Sequence, residues 1–223
     1  MRLPEAEAHH LTRVLRLVAG DEVTVFDGRG HEWRGRVAAA GRSGVTIDLD
    51  GPVTPVAEPP VRVTLAIGLL KGDQMDAVVR DATMLGVHAI VPVVSAHVAI
   101  DKRGRRADAI DRWTRVAVAS AKQCGRAVVP AIAPVTAFDD VVGRPDAGQL
   151  LMCIEKDVGC LFTENVKRHP TSLLVGPEGG WTDQEIERAV TAGAQLLHFG
   201  PRTLRAETAP IVALTALWTT WGW

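Results

Sequence analysis

The chain has 223 residues, 47% apolar and 23% charged, the composition of a soluble globular protein with a real core. Its formal net charge of -1 excludes a global field toward nucleic acid or membrane, so a polyanionic partner has to be met by local basic patches. No apolar run approaches the roughly 20 residues of a membrane span, and the acidic, polar start MRLPEAEAHH is not a signal peptide.

Apolar Ala8, Leu11, Val14 and Leu15 recur at helical spacing and predict a helix over 5–17. After a turn at Ala19-Gly20-Asp21, residues 22–26, 31–40 and 44–49 read as strands. The turns Asp27-Gly28-Arg29-Gly30 and Gly41-Arg42-Ser43-Gly44 part them, a pattern that suggests a small β-barrel. The four prolines of GPVTPVAEPP, 51–60, mark a domain boundary, which divides the chain into 1–55 and 61–223.

Beyond it the rhythm changes. Residues 61–70 read as a strand, Met75, Val78, Val79, Ala82 and Leu85 as a helix face, and 87–94 as a strand. A longer helix carries Ile110, Trp113, Val116, Ala117 and Ala121. Strands follow at 149–154 and 172–175, then a helix at 183–192, a strand at 195–199 and a helix at 208–218. This alternation implies an α/β domain with a mostly parallel sheet and helices on both faces. Cys124, Cys153 and Cys160 form no CxxC pair and read as reduced thiols of a cytoplasmic protein, with no metal site.

Two apolar runs stop at Gly-Pro: Leu173-Leu174-Val175 before Gly176-Pro177-Glu178-Gly179-Gly180, and Leu196-Leu197-His198-Phe199 before Gly200-Pro201. Ligands of parallel sheets sit beyond the carboxyl ends of the strands, where both loops lie. The first loop is neither GxGxxG nor a P-loop; its proline stiffens it and its glycines let a ligand approach the backbone. Thr182 or Asp183 caps the next helix, with Glu185 and Glu187 in its first turns. Such an acidic turn suits phosphate poorly and suits a neutral or cationic nucleoside such as S-adenosylmethionine. A steric turn without a ligand stays open for this loop alone. The second loop brings Arg202, Arg205 and Glu207 to the start of a nearly uncharged helix. Glu207 suits a helix N-terminus, so capping stays open for it; the two arginines do not, and point to an anion or a carboxylate partner.

GPEGGW-T-x-x-E and HFGPRTLRAETA together resemble the signature of the RsmE family of 16S rRNA uridine-N3 methyltransferases, members of the SPOUT class. The resemblance extends over HHLTRVLRLVAGDEVTVFDGRG, LLKGDQMDAVVRDATMLGVHAIVPVVS and RWTRVAVASAKQCGRAVVP. It implies a C-terminal SPOUT trefoil-knot domain behind a small N-terminal PUA-like, RNA-binding β-barrel. The family's first strand, ahead of HHLTRVLR, is expected to be missing from that barrel. By resemblance the two Gly-Pro loops enclose S-adenosylmethionine, through Leu174, Val175, Gly176, Pro177, Glu178, Gly179 and Gly180 and through His198, Phe199, Gly200 and Leu204.

The substrate implied is a uridine of 16S rRNA, free or within the small ribosomal subunit, and a homodimer is implied by the family. Trp218, Trp221 and Trp223 suit either its interface or the core. Arg205 is the candidate for the cation that stabilises charge on the base, with Arg202 second or on a phosphate. Glu207 or Glu178 accepts the N3 proton or orients an arginine. Candidates for RNA contact are Arg13 and Arg16 on one face of the first helix, Arg29, Arg34 and Arg36 near the barrel turns, and the run Lys102, Arg103, Arg105 and Arg106. Gln123 and Arg126 lie in KQCGR, where the family reads QSGR. His9, His10 and His31 read as surface or packing residues. Met84 and His97 stand where the family commonly has Glu and Arg. Two other readings stay open: another SPOUT enzyme acting on a ribose hydroxyl, and a non-catalytic RNA-binding module of ribosome assembly.

Overall fold

The computed structural model describes residues 1–41, 44–98, 105–143, 148–155 and 166–223, with the backbone alone at 105–107. The chain divides into two units, one of residues 1–57 with 125–128 and the other of 58–124 with 129–223.

In the first unit β1 (Glu22–Phe26), β2 (Glu32–Gly41) and β3 (Gly44–Val53) form an antiparallel sheet in that order. Alternation sets its inner face: Val37 on β2 and Val45 and Ile47 on β3 are buried against Ala8 and Leu11. Gly35 is obligatory at the bulge of β2, because a Cβ there would lie 2.5 Å from the Asp48 carbonyl oxygen. Residues 1–3 run antiparallel beside β3: the Leu3 amide donates to the Val45 carbonyl (3.0 Å) and the Ile47 amide to that of Met1 (2.8 Å). Gly125–Val128 also belongs to this unit, where the Gly30 amide donates to the Ala127 carbonyl at 3.1 Å.

The first helix is shorter than its apolar spacing predicts. It comprises α1 (Glu5–His9) and a π-helical turn, His10–Val14, after which Arg16 takes a left-handed backbone, φ 57°. Ala8 and Leu11 are buried in the core, while Val14 and Leu15 face solvent and Leu17 packs on the core only after the chain has left the helix, so burial gives the helix no reason to continue. Arg13 and Arg16 consequently do not share a helical face. At the β1–β2 turn, the Asp27 carboxylate accepts from the Arg29 and His31 amides and meets His31 Nδ1 at 2.8 Å. Desolvation opposes its charge, but these hydrogen bonds outweigh it and bring its pKa down to about 2.

The second unit contains β4 (Val63–Gly68), α2 (Gln74–Met84), β5 (Ala89–Val94), α3 (Arg105–Cys124), β6 (Ala131–Ile132), β7 (Thr136–Ala137) and α4 (Phe138–Val142). It continues with β8 (Gln149–Cys153), β9 (Thr171–Val175), α5 (Asp183–Thr191), β10 (Gln195–Leu197) and α6 (Ala209–Trp221). Its strands pair in the order β10-β8-β9-β4-β5-β6, with β7 also on β5, and every pairing is parallel. Both faces are covered, which is why β4 is apolar apart from Thr64 and β9 ends in the run Leu173-Leu174-Val175. Leu65, Ile67, Leu151 and Leu173 pack on one side with Val78 of α2, Ala117 of α3 and Leu214 of α6. Ala66, Val93, Met152 and Leu174 face the other way, toward Phe138 of α4 and Ala189 of α5. Trp218 and Trp221 belong to the first of these cores, and the Trp218 indole donates to the Leu85 carbonyl at 2.7 Å; Trp223 stays half exposed.

Candidate functional site

The carboxyl ends of β8, β9 and β10 open onto one cleft of about 460 Å³, a size typical of small-molecule sites. Its first wall is the loop after β9, held from three sides. Gly68, ending β4, leaves room for the Pro177 ring, which a Cβ would approach to 2.5 Å. The Glu178 carboxylate accepts from the Lys71 amide at 2.9 Å, tying the loop to the β4–α2 connection. Gly179 lies so close to His97 that a Cβ would meet the imidazole side chain at 2.8 Å, and His97 Nδ1 stands 3.2 Å from the Gly180 carbonyl oxygen. In this arrangement Glu178 serves the backbone of Lys71 rather than an arginine.

The loop then passes into α5 through a capping box. Thr182 Oγ1 accepts from the Glu185 amide, and Glu185 returns to the Thr182 amide and hydroxyl, both at 2.9 Å. Glu185 is only 1% exposed, and its other oxygen accepts from the Ala96 amide at 2.9 Å, after β5. One carboxylate thus joins two loops 89 residues apart. The sequence showed Glu185 only as a first-turn charge; the Thr-x-x-Glu spacing was its one legible sign of capping.

The second wall follows β10. Thr208 and Ala209 amides donate to the Arg205 carbonyl (2.9 and 3.0 Å), a turn that delivers the chain into α6. The Arg205 side chain is 85% exposed, with Nη1 at 3.9 Å from Glu207 Oε1, and Glu207 is mostly buried. Arg202 is exposed on the same wall.

Of the residues expected to hold a cofactor, Val175, Gly176, Pro177, Glu178, Gly179 and Gly180 line the cleft, as do Phe199, Gly200 and Leu204. Arg202, Arg205 and Glu207 line it too. Leu174 and His198 do not; both are buried. Strand alternation explains Leu174, which points to the α4–α5 side while Val175 points to the other. Sequence reasoning missed Gln74, Glu155 and Trp181, which also line the cleft. Trp181 is fixed by a hydrogen bond from its indole to the Cys153 carbonyl, 3.1 Å. The signal for Glu155 was present, since the apolar run of β8 stops just ahead of it.

Cys153 lines the cleft as well, and burial pushes its thiol up to about 12. It is therefore no nucleophile at neutral pH. In the folded protein a maleimide at pH 8 is expected to label the exposed Cys124 and to spare Cys153, as read by peptide mass mapping; rapid labelling of Cys153 would contradict its burial.

Among the RNA candidates, Arg13, Arg16, Arg29 and Arg34 are exposed on the first unit, whereas Arg36 pairs with Glu22 at 2.5 Å. Gln123 is exposed at the end of α3, and Arg126 is buried. Lys102 and Arg103 lie outside the described residues, as do the side chains of Arg105 and Arg106 and the whole of Cys160. Among the described residues no helix is long and apolar enough to cross a membrane.

Residues 57–218 match the model of an RNA methyltransferase domain, and residues 3–50 that of an RNA methyltransferase PUA domain. Ribosomal RNA small subunit methyltransferase E of Synechocystis is 35% identical, over 96% of this chain and 71% of the relative. The chain belongs to the RsmE family. The Bacillus subtilis member is 31% identical, over 95% of this chain and 86% of its own. Among solved structures, the Neisseria gonorrhoeae RsmE bound to S-adenosylmethionine superposes with a TM-score of 0.87 at 31% identity, covering 98% of this chain and 91% of that one. A Legionella pneumophila methyltransferase in complex with the same cofactor gives 0.88 at 28%, over 98% and 91%. The fold is accordingly that of RsmE proteins, an α/β SPOUT trefoil-knot domain with an N-terminal PUA domain.

Proposed function

We propose that the protein methylates N3 of a uridine in the 16S RNA of the small ribosomal subunit, with S-adenosylmethionine as methyl donor. One observation carries the reading: a single cleft joins a glycine-rich, phosphate-averse loop to a loop bearing Arg205, Arg202 and Glu207. The relatives' names and the cofactor of the Neisseria enzyme support it. The cleft also fits the cofactor's chemistry. Apolar Val175, Phe199 and Leu204 suit an adenine, the glycines leave the backbone open to it, and Glu155, Glu178 and Glu207 suit a cation. When bound, the cofactor supplies an electrophilic methyl group on a sulfonium.

The rest falls to the chain. Alignment of acceptor and donor carries much of such a displacement, and the loop anchored by Pro177, Glu178 and Glu185 provides a rigid wall for it. The uridine gives up its N3 proton, to the Glu207 carboxylate of the cleft or to solvent, and negative charge spreads onto O2 and O4. The exposed Arg205 guanidinium stabilises that charge, Glu207 steadies it from 3.9 Å, and Arg202 meets a phosphate or backs it up. Residues 1–55 act as the RNA-binding barrel through exposed Arg13, Arg16 and Arg29, and 61–223 as the catalytic domain. Gln123, Lys102, Arg103, Arg105 and Arg106 extend the RNA contact, whereas the buried Arg126 holds the end of α3 instead of meeting RNA. The enzyme works in the cytoplasm as a homodimer, with Trp223 available to the interface.

The test is mass spectrometry of small-subunit RNA from a deletion strain, with calorimetry of the purified protein and S-adenosylmethionine. Loss of one N3-methyluridine and saturable binding are expected. Loss of a ribose methylation instead would assign a different SPOUT reaction, and absence of binding would leave only an assembly role.

A further inference from the structure

Gln74 opens α2 and lines the cleft, yet its Oε1 is closed off from solvent and meets no hydrogen-bond donor among the described residues. A buried amide oxygen left unpaired costs more than a paired one contributes, and methionine would fill the same space without that cost. Retaining glutamine there therefore sacrifices stability, which is the mark of a group kept for a ligand. The end of a glutamine side chain rotates in a broad, two-fold well, so its oxygen turns toward the cleft at small cost. Helices α2 and α6 pack together, and their first residues, Gln74 and Ala209, both line the cleft.

We infer that Gln74 is a cofactor-binding residue whose Oε1 accepts a hydrogen bond from an N–H or O–H group of S-adenosylmethionine. This rests on that molecule being the ligand of the cleft. Its ammonium, ribose hydroxyls and adenine amine share the required chemistry. The target uracil does not suit the role, because its only base donor is N3–H, and an acceptor held there would stand in the path of the methyl group.

The experiment compares the wild-type protein with Gln74→Met and Gln74→Glu. Calorimetry uses S-adenosylmethionine and 5′-methylthioadenosine, which lacks the amino-acid end, and the thermal midpoint is read without ligand. Gln74→Met is expected to keep or raise the midpoint while weakening S-adenosylmethionine binding about 3- to 10-fold, the loss of about one net hydrogen bond. Gln74→Glu, which keeps an acceptor, is expected to bind within 2-fold of wild type, on the order of experimental error. Equal weakening with methylthioadenosine places the donor on the nucleoside; weakening confined to S-adenosylmethionine places it on the ammonium; either supports the inference. Unchanged affinity in Gln74→Met, or an affinity loss accompanied by a lower midpoint, overturns it. If the wild-type protein binds neither compound, the proposed function fails first, and the Gln74 assignment falls with it.

Discussion

Arg205→Ala is expected to lower kcat for rRNA methylation by about 100- to 1,000-fold, the loss typical of removing one donor that stabilises transition-state charge. Affinity for S-adenosylmethionine should stay within about 3-fold, because Arg205 projects from the wall with 85% of its side chain exposed instead of supporting the cleft. Its backbone, which receives the Thr208 and Ala209 amides, is unchanged by the substitution, so the turn into α6 survives. Single-turnover kinetics beside calorimetry separates the two effects. An equal fall in turnover and in cofactor binding would show that Arg205 shapes the pocket, and the proposed role would be abandoned. Arg205→Lys keeps the charge but not the planar fork, and should recover only part of the rate.

The second large effect is expected at Glu185. Removing its carboxylate leaves the Ala96 amide and the Thr182 amide and hydroxyl without their acceptor at a site that is 1% exposed. Each orphaned donor costs about 1–3 kcal/mol, and the costs are not additive, so Glu185→Ala should destabilise the protein by on the order of 3 kcal/mol. For a protein with the usual 5–15 kcal/mol of stability, roughly speaking, that is a large share of the total. Because the same carboxylate holds the loop after β9 against the loop after β5, cofactor affinity should fall as well. Glu185→Gln keeps one acceptor oxygen and should be milder on both counts. Denaturant unfolding measures the first effect; a loss below about 1 kcal/mol would mean that water replaces the carboxylate and that its burial is incidental.

Legibility in the sequence followed the length and solvation of each element. Strands β4, β8 and β9 were readable because a parallel strand covered on both faces is mostly apolar, as in Leu65-Ala66-Ile67, Leu150-Leu151-Met152 and Leu173-Leu174-Val175. The two-residue strands β6 and β7 and the five-residue α4 were not, since too few residues repeat for a period to show. The proline run at 51–60 marks the chain's first passage between units, whereas nothing in Gly125–Val128 marks its short return to the first. The helix predicted to reach residue 17 ended at Val14 because apolar spacing is blind to what lies opposite.

The candidate site divides along the same line. Its two principal walls were legible, because Gly-Pro after an apolar run records a local demand, a strand ending in a stiff turn, that neighbouring residues meet among themselves. So was the cofactor class, through the acidic turn and the joint motif. Tertiary structure alone decided which other side chains face the cleft, that Glu178 serves Lys71, that Glu185 is buried and shared, and that Leu174 turns away. These depend on parallel pairing between strands far apart in the chain, β4 with β9 and β9 with β8, and such contacts leave no periodic trace in the segments that make them.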